Sequence, residues 1–289
     1  MSNAVCKAGI ANCKCTLQLH LGDGVFMCFI RVPAGEFMMG SRGYSSREEP
    51  MHRVVISKDY YLATTPVTQR QARVLTAGAG IEHKNHFDGH DLRPAEQLSA
   101  EDADACCVWL ADNQHGNPDL LADDETCRYV PGLPSEAQWE YACKYGVEDG
   151  LEYYSGDGVA ALARSGWFEH GADLGDKEGN SGGRTHAVAG RQASVLGLYD
   201  LHGNVWEWCR DTWDENAYRY RFDGVLDPVF TTGSNRVQRG GSWYYHATLC
   251  RAAFRNWSLP GFRVSDCGFR VGLFPVPCQL EQAAKQRRS

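Results

Sequence analysis

From residue 147 to 235 the chain runs through glycine, aspartate and asparagine with scattered aromatics and no sustained helical or strand period. That composition calls for long ordered loops stitched by short strands, not for repeated helices. A stretch of this length inside one domain is unusual and tends to be functional or metal-stabilised. Glycine stands at 31 of 289 positions, so the turn-rich character extends to the whole chain.

Regular elements are legible on either side. "FIRVPAGEFMMGS" (29–41) reads as a strand, a turn at Pro33-Ala34-Gly35 and a second strand. "HRVVISKDYYLATTPVT" (52–68) continues in extended, β-branched and aromatic residues until Thr65-Pro66 breaks it. Three helices follow from their caps. "TQRQARVLTAGA" (68–79) starts at Thr68 and ends near Gly78. "SAEDADACCVWLADNQHG" (99–116) has Ser99 at its N-cap and acids in its first turn. "LPSEAQWEYACKYG" (133–146) pairs Ser135 with Gln138 in a capping box, puts Trp139 and Cys143 on one face and stops at Gly146.

The chain is 43% hydrophobic and 11% aromatic, which is globular, and its net charge of −7 argues against a nucleic-acid or anionic-membrane binder. No apolar run approaches the roughly 20 residues that span a bilayer. The first residues lack the apolar core of a signal peptide, so a cytoplasmic protein is expected, with export by another route left open. The 12 cysteines are then expected as free thiols. Cys6, Cys13, Cys15 and Cys28 cluster near the start, but C-x6-C-x-C is not a standard zinc-knuckle spacing. His83, His86 and His90 read as part of a polar surface loop.

Residues 240–271, "GGSWYYHATLCRAAFRNWSLPGFRVSDCGFRV", look both specified and arbitrary. Gly240, Gly241, Trp243, Arg251, Arg255, Arg263, Gly268 and Arg270 form a frame around assorted aromatic, aliphatic and polar residues. Together with "VPAGEFMMGS" (32–41), "LPSEAQWEYA" (133–142) and "GLYDLHGNVWEWCRD" (197–211), in that order, this stretch resembles the formylglycine-generating-enzyme-like (sulfatase-modifying factor) domain. That domain is a variant of the C-type lectin fold. The resemblance implies an α+β architecture with two helices around a small twisted antiparallel sheet and much irregular loop. It divides the chain into an N-terminal extension (1–27), the domain (28–274) and a C-terminal tail (275–289). Within "GNVWEWCRD", Trp206 and Trp208 alternate with Val205 and Glu207, so both indoles face the core. Related domains hold structural calcium near this motif, which makes Asn204 and Glu207 the candidate ligands here, in support of the fold and not of chemistry.

The family's oxidases bind copper through two cysteines after the "GGS[WY]" motif and oxidise a substrate cysteine with oxygen. Two thiolates suit Cu(I). Here the first position falls on Tyr245, and the second falls on Cys250 or, counted back from Gly268, on Ala247. One cysteine cannot make that centre, and Cys267 stands where the fold buries an apolar residue. The iron-dependent branch needs a separate helical domain and an H-x3-H-x-E arrangement, and this sequence has neither. No serine elbow, P-loop or dinucleotide fingerprint occurs, and "GDGVAALARSG" (156–166) lacks a phosphate-binding lysine.

The frame of 239–271 is similar instead to the variable proteins of diversity-generating retroelements, in which mutated adenines turn AAC codons into NNC. The corresponding positions are Tyr244, Tyr245, His246, Leu249, Phe254, Asn256, Ser258, Leu259, Phe262, Val264, Ser265 and Asp266. None of the twelve carries Lys, Glu, Gln, Met or Trp, the residues that NNC cannot encode. Trp257 departs from the pattern: either it is fixed or the pattern is misassigned at that position. The resemblance implies a non-catalytic binder of a variable protein or surface ligand, with no cofactor required; a copper-dependent oxidase is the alternative. Tyr, His, Phe, Ser and Asp suit such a surface, with rigid aromatic area and adaptable hydrogen bonding. Residues 244–246 and 264–266 are expected to be exposed, because three consecutive strand residues cannot share one face. Phe254 and Phe262 suit either core or ligand. The frame arginines are expected to pair with acids beneath.

Overall fold

The computed structural model describes residues 8–9, 14–114, 117–120, 127–169 and 179–277. In chain order the elements are β1 (Leu17–Gly22), β2 (Val25–Val32), β3 (Gly35–Met39), β4 (His52–Ile56), β5 (Tyr60–Ala63), α1 (Gln69–Gly78), α2 (Ala100–Asn113), β6 (Cys127–Gly132) and α3 (Glu136–Lys144). Then come α4 (Gly158–Ser165), β7 (Gly166–Trp167), β8 (His202–Gly203), β9 (Trp206–Thr212), β10 (Val225–Leu226), β11 (Arg236–Arg239), β12 (Asn256–Ser258), β13 (Cys267–Gly268) and β14 (Gly272–Pro277). This is the expected α+β architecture, with four α-helices among the described residues where two were implied.

One antiparallel sheet, ordered β1-β2-β5-β14-β6, joins the start of the domain to its end. Strand β2 explains why "VFMCFIRV" is almost continuously apolar. Val25, Met27 and Phe29 face one hydrophobic core, Ile30 and Val32 face another, so a period of two buries both sides. The first core is shared with Ala72 and Leu75 of α1, Cys106 and Leu110 of α2, and Trp206 and Trp208 of β9. The second takes Trp139 and Cys143, the two residues expected to share a face of α3.

The three capping signals hold. Thr68, Ser99 and Ser135 each accept from the backbone of the third helical residue, and Gln71, Asp102 and Gln138 return the bond. The strand pair read at 29–41 exists, but its members separate: β2 lies in the five-stranded sheet, and β3 pairs with β4 in a three-stranded one. The turn between them is held by the Ala34 N–H donating to Asp59 Oδ1 (2.7 Å). The expectation of loops and short strands across 147–235 misses α4, whose Ala161 and Leu162 are buried.

A four-stranded sheet, β12-β11-β9-β13, carries the site. Strand β11 leads into the segment from 240, β12 returns antiparallel to β11 at one edge, and β13 runs parallel to β9 at the other. Gly240 (φ 97°) and Gly241 (φ 76°) make the exit from β11 in backbone that side-chain-bearing residues rarely adopt. Gly268 closes the return against backbone: a Cβ there would run into the Ala95 carbonyl oxygen. Gly268→Ala is therefore expected to lower unfolding stability by about 1–3 kcal/mol, as overpacking does, measured by chemical denaturation.

Candidate functional site

Leaving Gly241, the segment makes a turn at 243–245, a short 3-10 turn (Ala247–Cys250), strand β12 and a second turn before β13. The triplets 244–246 and 264–266 are thus turns and not strands, so the geometric reason given for their exposure does not apply. Tyr244 is 61% exposed, while Tyr245, His246, Val264, Ser265 and Asp266 are half-buried.

Each frame arginine is tied to an acid from a different element. Arg251 reaches Glu48 with both terminal nitrogens (2.9 and 2.8 Å). Arg255 grips Glu136 of α3 through Nε and Nη2 (2.6 and 2.9 Å). Arg263 grips Asp102 of α2 (2.7 Å twice), and Arg270 grips Glu207 of β9. Arg239, the last residue of β11, pairs with Glu140 and donates to the carbonyls of Ala252 and Ala253 (3.0 Å each). Arg239, Arg255 and Arg270 are wholly buried with their acids, and the flat faces of Arg255 lie near Tyr218 (4.1 Å) and Trp213 (4.6 Å). Burial pushes the Glu140 carboxyl up, but Lys144 and Arg239 outweigh it and hold the group at about 2. Burial likewise opposes ionisation of Glu136, and Arg255 and Arg239 bring it below the ordinary range.

His202 pins the 3-10 turn from below. Its Nε2 accepts the Tyr154 N–H (3.1 Å), so Nδ1 carries the proton and donates to the Cys250 carbonyl (2.8 Å). Burial pushes this imidazole down to about 4, and it is neutral at physiological pH.

Burial separates most of the two sets of residues in the segment, the frame's Arg263 being exposed. Gly240 to Trp243, Ala247, Cys250 to Ala253, Arg255 and Cys267 to Val271 are buried. All twelve pattern positions are half-buried or exposed: Tyr244, Leu259 (55%) and Phe262 (51%) are exposed, and Tyr245, His246, Leu249, Phe254, Asn256, Ser258, Val264, Ser265 and Asp266 are half-buried. The sequence left two phenylalanines open. Phe254 rests on Trp206 (ring centroids 6.0 Å apart), where Tyr245 also lands edge-on (5.6 Å), whereas Phe262 projects outward. Trp257, the departure from the codon pattern, is 40% exposed and lies beside Trp213.

The two triplets meet in a shallow depression of about 400 Å³ lined by Trp243, Tyr244, Tyr245, Arg263 and 264–266, and also by His86 and Gln97. Those last two come from the loop between α1 and α2, which is locked to the segment by the Gln97 N–H donating to the Val264 carbonyl (2.9 Å). Sequence reasoning missed Gln97, and no local pattern marks it, since the contact spans most of the chain. The three loop histidines diverge: His83 Nε2 bonds the Glu96 carbonyl (2.7 Å), His90 Nδ1 accepts from Leu92, and His86 lines the depression.

The donor sets expected for metals do not fit them. Both Glu207 oxygens accept from Arg270, and one accepts from Trp139 Nε1 (2.7 Å), so a guanidinium stands where calcium would need open carboxylate. Asn204 turns away to His186 and Asp200. Nor do the residues fit a two-thiolate copper centre: Cys250 is wholly buried with its thiol pushed up to about 12 by burial, and Tyr245 stands at the companion position. Cys267 is buried and accepts from Gln238 Nε2 (3.0 Å). Cys106, Cys107, Cys127, Cys143, Cys209, Cys250 and Cys267 are thiols, as expected. Cys6 and Cys13 lie outside the described residues, and Cys15 accepts from Gln18 (3.2 Å). Among the described residues no three His, Cys, Asp or Glu side chains gather as a metal site, and no helix is long and apolar enough to cross a membrane.

Frame and pattern positions should respond differently to truncation. Arg255→Ala leaves Glu136 buried and is expected to cost about 3–5 kcal/mol in denaturant unfolding. Phe262→Ala, at the surface, is expected to stay within about 0.5 kcal/mol.

Residues 26–272 match the model of the sulfatase-modifying factor enzyme 1-like domain. A formylglycine-generating enzyme of Streptomyces coelicolor is 30% identical over 283 residues, covering 83% of this chain and 87% of its own. The serine/threonine-protein kinase Pkn1 of Chlamydia trachomatis is 30% identical over 251 residues, but this chain spans only 37% of its length. Among solved structures, Treponema denticola variable protein 1 superposes with a TM-score of 0.72 at 28% identity, covering 89% of this chain and 98% of that one. PvdO from Pseudomonas aeruginosa shares the fold at 22% identity, with a TM-score of 0.68 over 90% of this chain and 98% of its own. The chain belongs to the sulfatase-modifying factor family, whose domain occupies nearly its whole length.

Proposed function

We propose that this chain is a non-catalytic ligand-binding protein whose C-terminal surface is diversified, with residues 244–266 meeting a protein or surface ligand. The observation that carries the reading is the split within one segment. Its fixed residues are largely buried and ion-paired, while all twelve positions of the NNC pattern lie half-buried or exposed. The likeness to Treponema denticola variable protein 1 supports the same reading. Shallow relief lined by Tyr244, Tyr245, Ser265 and Asp266 suits a macromolecular surface, as rigid aromatics beside adaptable polar groups do in paratopes. A cytoplasmic location remains part of the proposal and rests on the sequence alone.

The alternative is a copper-dependent oxidase acting on a cysteine peptide, and the Streptomyces coelicolor relative keeps it in view. It requires a second thiolate beside Cys250, where this chain has Tyr245. Two tests separate the readings. A display library randomised with NNC at the twelve positions is expected to yield folded clones that bind an arbitrary target such as lysozyme; failure to enrich any binder would overturn the display reading. Incubation of the native chain with Cu(I) and a cysteine peptide is expected to give no aldehyde by mass spectrometry. Product that disappears in Cys250→Ser would establish the oxidase instead. At the level of DNA, a near-copy of the 240–271 coding sequence differing only at adenines, beside a reverse-transcriptase gene, is the expected companion.

A further inference from the structure

Every frame arginine has its acid; several arginines outside the frame do not, and three of these lie on two adjoining loops. Arg93, Arg184 and Arg191 make no ion pair or side-chain hydrogen bond with another described residue. They belong to two loops joined where the Val188 N–H donates to the Leu92 carbonyl (2.8 Å). The second loop packs on Trp167 of β7. The His186 ring stacks on it at 3.7 Å with planes 11° apart, and the Arg191 guanidinium carbon lies 3.7 Å from the indole centroid. A guanidinium lying on an aromatic face keeps its N–H edge available for an anion.

Three polar groups of Trp167 and the second loop are buried without a partner: the N–H donors Trp167 Nε1 and Arg191 Nε, and the hydroxyl Thr185 Oγ1. Buried polar groups are nearly always paired, so two orphaned N–H donors beside a hydroxyl that can also donate point to a missing acceptor. The surrounding charge has the same sense. Burial lowers the His186 pKa, and Arg184, Arg93 and Arg191 lower it further. Asp200 is within electrostatic reach of Arg191, but its oxygens already accept from Ala189 N and Asn204 Nδ2. In a chain of net charge −7, such a concentration of unpaired arginine is out of keeping with the whole.

We propose that Arg93, Arg184 and Arg191, around the Trp167–His186 stack, bind a phosphate group, whose several acceptor oxygens match guanidinium donors and the orphaned N–H and O–H groups. The site does not depend on the diversified surface, although it adjoins it: two residues beyond Trp167, the Glu169 N–H donates to the Tyr245 carbonyl (2.9 Å). A ligand carrying phosphate would thus meet constant residues at the margin of the variable ones.

The test is isothermal titration of the full chain at matched ionic strength, with inorganic phosphate in one arm and a phosphoserine peptide against its unphosphorylated twin in the other. Saturable binding is expected, and the tighter arm names the source as free or peptide-borne phosphate. Arg184→Gln, at an exposed position, and Arg191→Gln are each expected to weaken it by at least about tenfold, with circular dichroism confirming that the variants fold. Absence of binding in both arms, or binding unchanged in both variants, would overturn the proposal whatever the variable surface is found to do.

Discussion

The structure depends on buried ion pairs between a loop-rich segment and its scaffold. Residues 240–271 contain little regular secondary structure, so backbone ladders cannot fix their path. Side chains fix it instead. Arg239, Arg251, Arg255, Arg263 and Arg270 reach acids on α3, the 3-10 turn at Ser46–Glu48, α2 and β9. Pairs of this kind add little net stability over apolar contacts, but removing one partner strands a charge, which makes the arrangement specific. The chain's path is therefore set largely by residues that face inward, with Arg263 the exposed anchor, and under the proposed function the outward positions are the ones free to vary.

That division explains how one segment can look both specified and arbitrary. Gly240 and Gly241 take backbone that other residues avoid, the arginines anchor, and Trp243 sits in a chain of edge-on aromatic contacts from Phe87 to Tyr244. Between these fixed points the display side chains rest on a hydrophobic floor that includes Trp206, so a change at Tyr245 or Phe254 alters surface chemistry over an unchanged base.

Much of this was legible in the sequence because it rests on local rules. The three helix N-caps, the alternation of Trp206 and Trp208 and the need of each frame arginine for an acid follow from spacing and chemistry that a single chain displays. The structure departs from the reading where contacts are long-range or weakly patterned. Helix α4 lies between glycines with no side-chain cap bond at Asp157, so its start carried little signal. Nothing local says that β2 and β3 enter different sheets, or that Gln97 joins the depression beside Val264. The calcium expectation at Asn204 and Glu207 rested on resemblance, and Arg270 takes the carboxylate it needed.

The central claim is that folding and display are carried by different residues of one segment. A saturation scan of 239–271 with protease resistance as the readout tests it most directly. The account predicts that the twelve display positions accept NNC-encoded residues with little loss of resistance, while Gly241, Arg239, Arg255, Gly268 and Arg270 accept almost none. Equal sensitivity at the two sets of positions would contradict it.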